Sequence, residues 1–174
     1  PSEGQPVSER TEVRVAYDEE ALYVGAWLFD SDPTSLVFGQ TLRDASLNES
    51  DAFVLVLDTY LDRQNGFVFG TTPAGIEYDG QVANEGQGGG GGGGGRPGGG
   101  GGRQQRGSGG GFNLNWDGSW EVATSTDSLG WYAEMRIPFT TLRYGRGGDQ
   151  TWGLNFERRI RRNSEEAVWA PIPR

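Results

Sequence analysis

Three groups of residues in this chain carry side chains able to bind an ion or a ligand. The first is a set of carboxylates: Asp30 and Asp32 in the run DSDP, and Glu49 and Asp51 just ahead of the apolar run AFVLVLD. If both runs finish at one end of a folded domain, four hard oxygen ligands converge, the donor type that calcium takes. Turn aspartates capping loop amides are the competing reading. The second group is aromatic: Trp116, Trp120, Trp152 and Trp169, with Asn113, Asn115, Asn155 and Arg158 close in sequence. An indole face beside amide and guanidinium donors suits sugar stacking, which makes Trp116, Asn155, Arg158 and Trp169 the candidate carbohydrate-binding set. Tryptophans at strand positions are otherwise core residues. The third group is two carboxylate pairs, Glu77 with Asp79 and Glu134 with Glu157. A glycosidase needs two carboxyl groups about 5–9.5 Å apart across a cleft. Strand alternation could orient either pair, but nothing separates them from a solvated strand face, and the chain is read as non-catalytic.

Composition narrows the chemistry further. Cysteine, histidine and lysine are all absent, and the 15 basic residues are all arginine. A thiolate nucleophile, an imidazole base, a Schiff-base amine and the usual nitrogen and sulfur zinc ligands are therefore excluded. Disulfides are excluded too, so stability outside the cell must come from packing or from oxygen-ligated calcium. The formal charge of −9 disfavours nucleic acid as a partner. The sequence contains no apolar run of 18 residues that could cross a membrane as a helix. Pro1 is not a natural translation start, and the chain is read as a fragment or a processed product.

The elements that must position these residues are strands. Candidate strands are Glu12–Tyr17, Leu22–Asp30, Ala52–Asp58, Gly66–Thr72, Ile76–Val82, Ser119–Thr126, Trp131–Ile137, Thr151–Ile160 and Ala167–Ala170. Turn signals such as RQNG, PAG and SLG separate them. In Trp131–Ile137, Trp131, Ala133, Met135 and Ile137 alternate with Tyr132, Glu134 and Arg136, a half-buried strand. Both faces of Leu22–Phe29 are apolar, which implies a central strand covered on both sides. The one helical suggestion is a single turn over Phe139–Tyr144, after Pro138. At 174 residues the chain is expected to form one all-β domain over 1–174, an antiparallel β-sandwich of jelly-roll type.

A glycine-rich insertion over 86–111 interrupts this pattern, with 18 glycines in 26 residues. Glycine loses the most backbone entropy on ordering, so a surface linker is one reading. Arg96, Arg103 and Arg106 suggest an RNA-binding segment, but no aromatic residue is interleaved to stack on bases. A third reading is cohesive. Polyglycine can take a left-handed, three-residue helix rising about 3.1 Å per residue, roughly 80 Å for this segment. Copies lacking side chains at Gly88, Gly91, Gly94, Gly98 and Gly101 could then pack by interstrand amide bonds.

The order EVRVAYDEEALYVGAWLFDSDP, SDAFVLVLDT and WYAEMRIPFTTLRYG…TWGLNFERRI resembles the family 9 carbohydrate-binding modules. The resembling branch stands at the N-terminus of large bacterial surface proteins that continue into an outer-membrane barrel. The resemblance implies a non-catalytic extracellular sandwich, with a polysaccharide or further copies of the chain as partner. It also implies a first strand, around an ID-G-x-x-D-E-x-W pattern, upstream of the strand matching Glu12–Tyr17. Without that strand an apolar groove and a row of backbone groups lie open, to be filled by Pro1–Arg10 or by a neighbouring subunit. Sugar-binding members clamp a terminal sugar between two tryptophans. The first of those positions falls at about Asn48, the family's acidic residue near Val54, its Arg-x-Asn pair near Gly70 and Thr72, and the second tryptophan after Trp169. The sugar clamp is therefore not carried over. Two function classes remain: a carbohydrate-binding module with a degenerate site, and a structural subunit that assembles into filaments or lattices by strand exchange and packed glycine-rich helices.

Overall fold

The computed structural model describes residues 6–83 and 111–170; Gly88, Gly91, Gly94, Gly98 and Gly101, and with them the expected cohesive role of the glycine-rich segment, lie outside the described residues. Ten strands follow one another: β1 (Thr11–Tyr17), β2 (Ala21–Phe29), β3 (Ala52–Asp58), β4 (Asn65–Thr71), β5 (Tyr78–Ala83), β6 (Gly111–Asn113), β7 (Glu121–Asp127), β8 (Gly130–Pro138), β9 (Gly153–Ile160) and β10 (Glu165–Val168). They form a four-stranded sheet in the order β1, β2, β8, β7 and a six-stranded sheet in the order β10, β9, β3, β4, β5, β6. Every pairing is antiparallel. The chain is thus an all-β sandwich, as its alternation implies.

The two inner faces make the core. Leu22, Val24, Ala26 and Leu28 of β2 and Trp131, Ala133, Met135 and Ile137 of β8 meet Phe53, Leu55 and Leu57 of β3 and Phe67 and Phe69 of β4. A smaller cluster of Leu47, Ala52, Val54 and Ile76 lies on the other face of the six-stranded sheet. The β7–β8 turn requires glycine at Gly130, where φ is 143° and a Cβ would lie 2.2 Å from the Leu28 carbonyl oxygen.

Three expectations need correction. β2 is central in its sheet but covered on one face only: Tyr23, Trp27 and Phe29 remain half-exposed. Arginines replace the second layer, with Arg14 over the Trp27 ring at 5.0 Å and Arg10 over Phe29 at 4.9 Å. The segment after Pro138 forms a turn, with Thr141 N–H on the Pro138 carbonyl and Leu142 N–H on that of Phe139, while the 3-10 turns fall at Pro33–Ser35, Leu47–Glu49 and Arg161–Asn163. β6 was not anticipated, because three residues cannot show an alternation.

β1 is an edge strand of the four-stranded sheet and β10 of the other. Residues 6–10 cross between these two lips at one end. The Ser8 N–H donates to Glu165 at 2.9 Å, and Glu9 is bound by Arg162. They add no strand beside β1.

Candidate functional site

Between the β1 and β9–β10 lips lies a groove of about 580 Å³, with walls from Val13, Val15, Leu154, Phe156, Val168 and Trp169. Its aromatic lip is built outward from the core. Phe53 stacks on Phe156 with centroids 5.8 Å apart and ring planes at 16°, and Trp169 leans on the outer side of Phe156 at 5.8 Å and 53°. Trp169 is 69% exposed. Its backbone is held: Trp169 N–H donates to the Phe156 carbonyl at 2.9 Å. The Asn155 amide brackets the next residue, accepting from Ala170 N–H at 2.9 Å and donating to the Ala170 carbonyl at 3.0 Å.

Of the other members of the candidate sugar set, Trp116 lies away from the groove and Arg158 lines it as a buried residue. Arg158 is 4% exposed and faces inward. Its guanidinium donates to the Arg10 carbonyl at 2.8 Å, the Thr11 hydroxyl at 3.0 Å and the Phe29 carbonyl at 2.7 Å, joining the two sheets. Burial pulls its pKa below the usual arginine value, an effect that Asp30 opposes. Arg158 is therefore a structural cation rather than a sugar ligand. Its position between Phe156 and Ile160 in the β9 alternation is the signal that marks it as inward-facing. Trp116 is half-buried against Phe67 and Phe69 at 5.0 and 5.9 Å. It stacks on β4 while Trp169 stacks on β9, with β3 between. Trp120 is core, its indole N–H donating to Asp79 at 3.2 Å. Trp152 packs half-buried against Tyr144 and Phe139.

The carboxylates expected to hold calcium do not converge. Among the described residues no three acidic side chains are placed to hold a metal ion. Asp30 instead binds Arg162 and the Asp32 N–H, which holds the Arg162 guanidinium above its usual pKa. Asp51 accepts from the N–H groups of Val37 and Arg161 at 2.6 and 3.1 Å. Asp32 accepts from the Thr34 hydroxyl at 2.6 Å, and Glu49 lies in the 3-10 turn Leu47–Glu49. Arginine and backbone donors thus engage one oxygen of Asp30 and both of Asp51.

The two carboxylate pairs lie in different settings. Glu134 belongs to the four-stranded sheet and Glu157 to the six-stranded sheet. Glu77 and Asp79 share the Arg43 guanidinium, and Asp79 is buried.

No family model and no curated protein matches the chain. Solved structures do. A Bacteroides uniformis protein described as carbohydrate-binding superposes with a TM-score of 0.67 at 14% identity, over 98% of this chain and 73% of that one. A family 9 carbohydrate-binding module from Caldicellulosiruptor kristjanssonii, in complex with cellotriose, superposes with a TM-score of 0.53 at 13% identity, over 95% of this chain and 66% of that one. The likeness is one of fold.

Asn48, Val54 and Gly70 have partners within the protein. Asn48 accepts from Arg159, Val54 is buried, and Leu47 lies over Gly70 so closely that a Cβ there would be 2.8 Å from its Cδ1. Glu157 stands next to this face, paired with Val54 across the strands. Burial raises its pKa above the ordinary glutamate value, and Arg159 only partly offsets this. A carboxyl group with a raised folded pKa destabilises the fold as pH climbs through that pKa, because the native state gives up its proton less readily than the unfolded chain. Glu157→Gln is therefore expected to raise the melting temperature at pH 7 and to leave it little changed at pH 3. A lower melting temperature at pH 7 would mean that the Arg159 ion pair outweighs the burial.

Proposed function

We propose that this chain is a non-catalytic glycan-binding module of the bacterial cell surface, with a degenerate sugar site in which Trp169 is a one-sided stacking platform. The observation that carries the reading is Trp169 itself: an indole exposed at 69%, backed by Phe156 and fixed through its backbone. A rigid aromatic face loses little conformational freedom when a pyranose ring lies on it. The likeness to two carbohydrate-binding structures supports the same class. A platform with no facing partner gives low affinity, with a dissociation constant of about 1 mM, equivalent to roughly −4 kcal/mol.

Titration of intrinsic fluorescence with cello- and xylo-oligosaccharides tests this. The wild-type chain is expected to show a saturable change, and Trp169→Ala to weaken binding by about tenfold or more, equivalent to roughly 1.4 kcal/mol. A response that survives Trp169→Ala places the site elsewhere. Submicromolar affinity would show that the site is not degenerate.

The alternative, a self-assembling structural subunit, is favoured by one specific feature: the long edge of β1, which no strand covers among the described residues.

A further inference from the structure

We infer that β1 is an interface between two copies of this chain, which pair antiparallel across a two-fold axis at Val13 and join their four-stranded sheets into one of eight strands. The strand's own hydrogen-bonding phase comes first. Beside β2, the Arg10 carbonyl accepts from Phe29 N–H and Asp18 N–H donates to the Ala21 carbonyl. In an antiparallel ladder such bonding residues recur at every second position. Arg10, Glu12, Arg14, Ala16 and Asp18 therefore turn their backbone groups toward β2, and Thr11, Val13, Val15 and Tyr17 turn theirs outward. No strand pairs with that outer edge among the described residues.

The same odd-numbered residues carry the apolar side chains of this edge. Val15 is 42% exposed and Tyr17 79%, and across the groove Leu154 and Val168 are 36% and 38% exposed. An uncovered edge of seven residues with apolar neighbours is a template for another strand. Natural edges are usually blunted by charge, and here the charges instead choose a partner and a register. With the two-fold axis at Val13, the outward-bonding residues face each other as Val13 with Val13 and Thr11 with Val15, the phase that backbone bonding requires. Glu12 of each copy then lies opposite Arg14 of the other, twice over, in the non-hydrogen-bonded positions where side chains come closest. A shift of the axis to Arg14 puts Arg14 against Arg14. An axis at Glu12 opposes Glu12 to Glu12, and an axis at Val15 opposes Glu12 to Asp18.

The other edges lack this property. β7 paired on itself about Thr124 would oppose Glu121 to Asp127, and the Thr124 hydroxyl already donates to the Pro73 carbonyl. β6 has three residues and β10 has four, two of them glutamates. A self-complementary surface of this kind gives a closed, isologous dimer.

The test is a charge swap read by sedimentation equilibrium on the full chain. The wild type is expected to reach twice the chain mass as concentration rises. Arg14→Glu opposes Glu12 to a glutamate, Glu12→Arg opposes Arg14 to an arginine, and each should weaken dimerisation by about tenfold or more, since each replaces two attractive pairs with two repulsive ones. The double variant, carrying both Glu12→Arg and Arg14→Glu, restores opposite signs and should dimerise within about threefold of wild type. Circular dichroism of each variant confirms that the sandwich is retained. Backbone hydrogen exchange supplies a second readout that needs no substitution: the amides of Thr11, Val13 and Val15 should slow as the wild-type chain is concentrated, while those of Glu12 and Arg14 are slow throughout. A chain that stays monomeric with fast exchange at Val13 and Val15 overturns the inference. So does a dimer indifferent to the single charge reversals, or one that the double variant fails to restore.

Discussion

Replacing Arg158 with alanine is expected to lower the free energy of unfolding by about 3–5 kcal/mol, the cost of removing one partner from a buried charged network. The guanidinium reaches the backbone carbonyls of Arg10, just ahead of β1, and of Phe29 at the end of β2, and lies 3.9 Å from the Asp30 carboxylate. Alanine takes one donor from each carbonyl, leaving that of Arg10 with the Phe29 N–H alone, and reduces Asp30 to its contact with Arg162 and one backbone amide. In a chain of this size the melting temperature should fall by roughly 6–20 °C. Arg158→Lys should recover little of the loss, because a single ammonium cannot replace a planar fork that serves three acceptors at once. Thermal unfolding measures the effect. A loss below about 1 kcal/mol would mean that the inter-sheet bonds contribute no more than an exposed ion pair.

The second large effect is expected at Asp79. This carboxylate is 1% exposed and accepts from Gly118 N–H at 2.7 Å, the Trp120 indole at 3.2 Å and Arg43 at 2.7 Å. It anchors the segment leading from β6 to β7 onto β5. Asp79→Ala strands two buried donors at about 1–3 kcal/mol each, for a total of roughly 2–6 kcal/mol. Asp79→Asn retains one acceptor oxygen at similar volume and should lose distinctly less. Urea denaturation of the two variants separates the contributions. Equal losses would mean that the ion pair with Arg43, 39% exposed, carries the stability rather than the hydrogen bonds to Gly118 and Trp120.

Asp79 touches neither Trp169 nor the outer edge of β1, whereas Arg158 holds the Thr11 hydroxyl at the start of that edge. The effect at Asp79 should therefore appear in stability and leave the oligosaccharide response and the dimerisation constant of the folded fraction largely unchanged. Folding defects and functional defects are separable at Asp79 for that reason.

Period-2 alternation made nine of the ten strands readable to within two or three residues of their ends, because side-chain direction in a strand depends only on the parity of its own positions. The same parity contained the correct reading of Arg158, which stands between Phe156 and Ile160. Its type, a guanidinium close in sequence to tryptophan and asparagine, points instead to a ligand-binding role. The positions of Asp30, Asp32, Glu49 and Asp51 at strand ends leave two readings open in the sequence, converging calcium ligands or turn carboxylates capping loop amides. Their actual partners, Arg162 for Asp30 and the amides of Val37 and Arg161 for Asp51, come from elsewhere in the chain.

The sequence by itself determined the fold class and the absence of thiol, imidazole and amine side chains. Only the tertiary structure decided which tryptophan is exposed, which arginine is buried and which sheet edge stays open. The reason is range: alternation is a property of neighbouring residues, whereas Arg162 meets Asp30 across 132 positions and Arg158 meets Phe29 across 129. Contacts at that separation exist only once two sheets have been laid face to face.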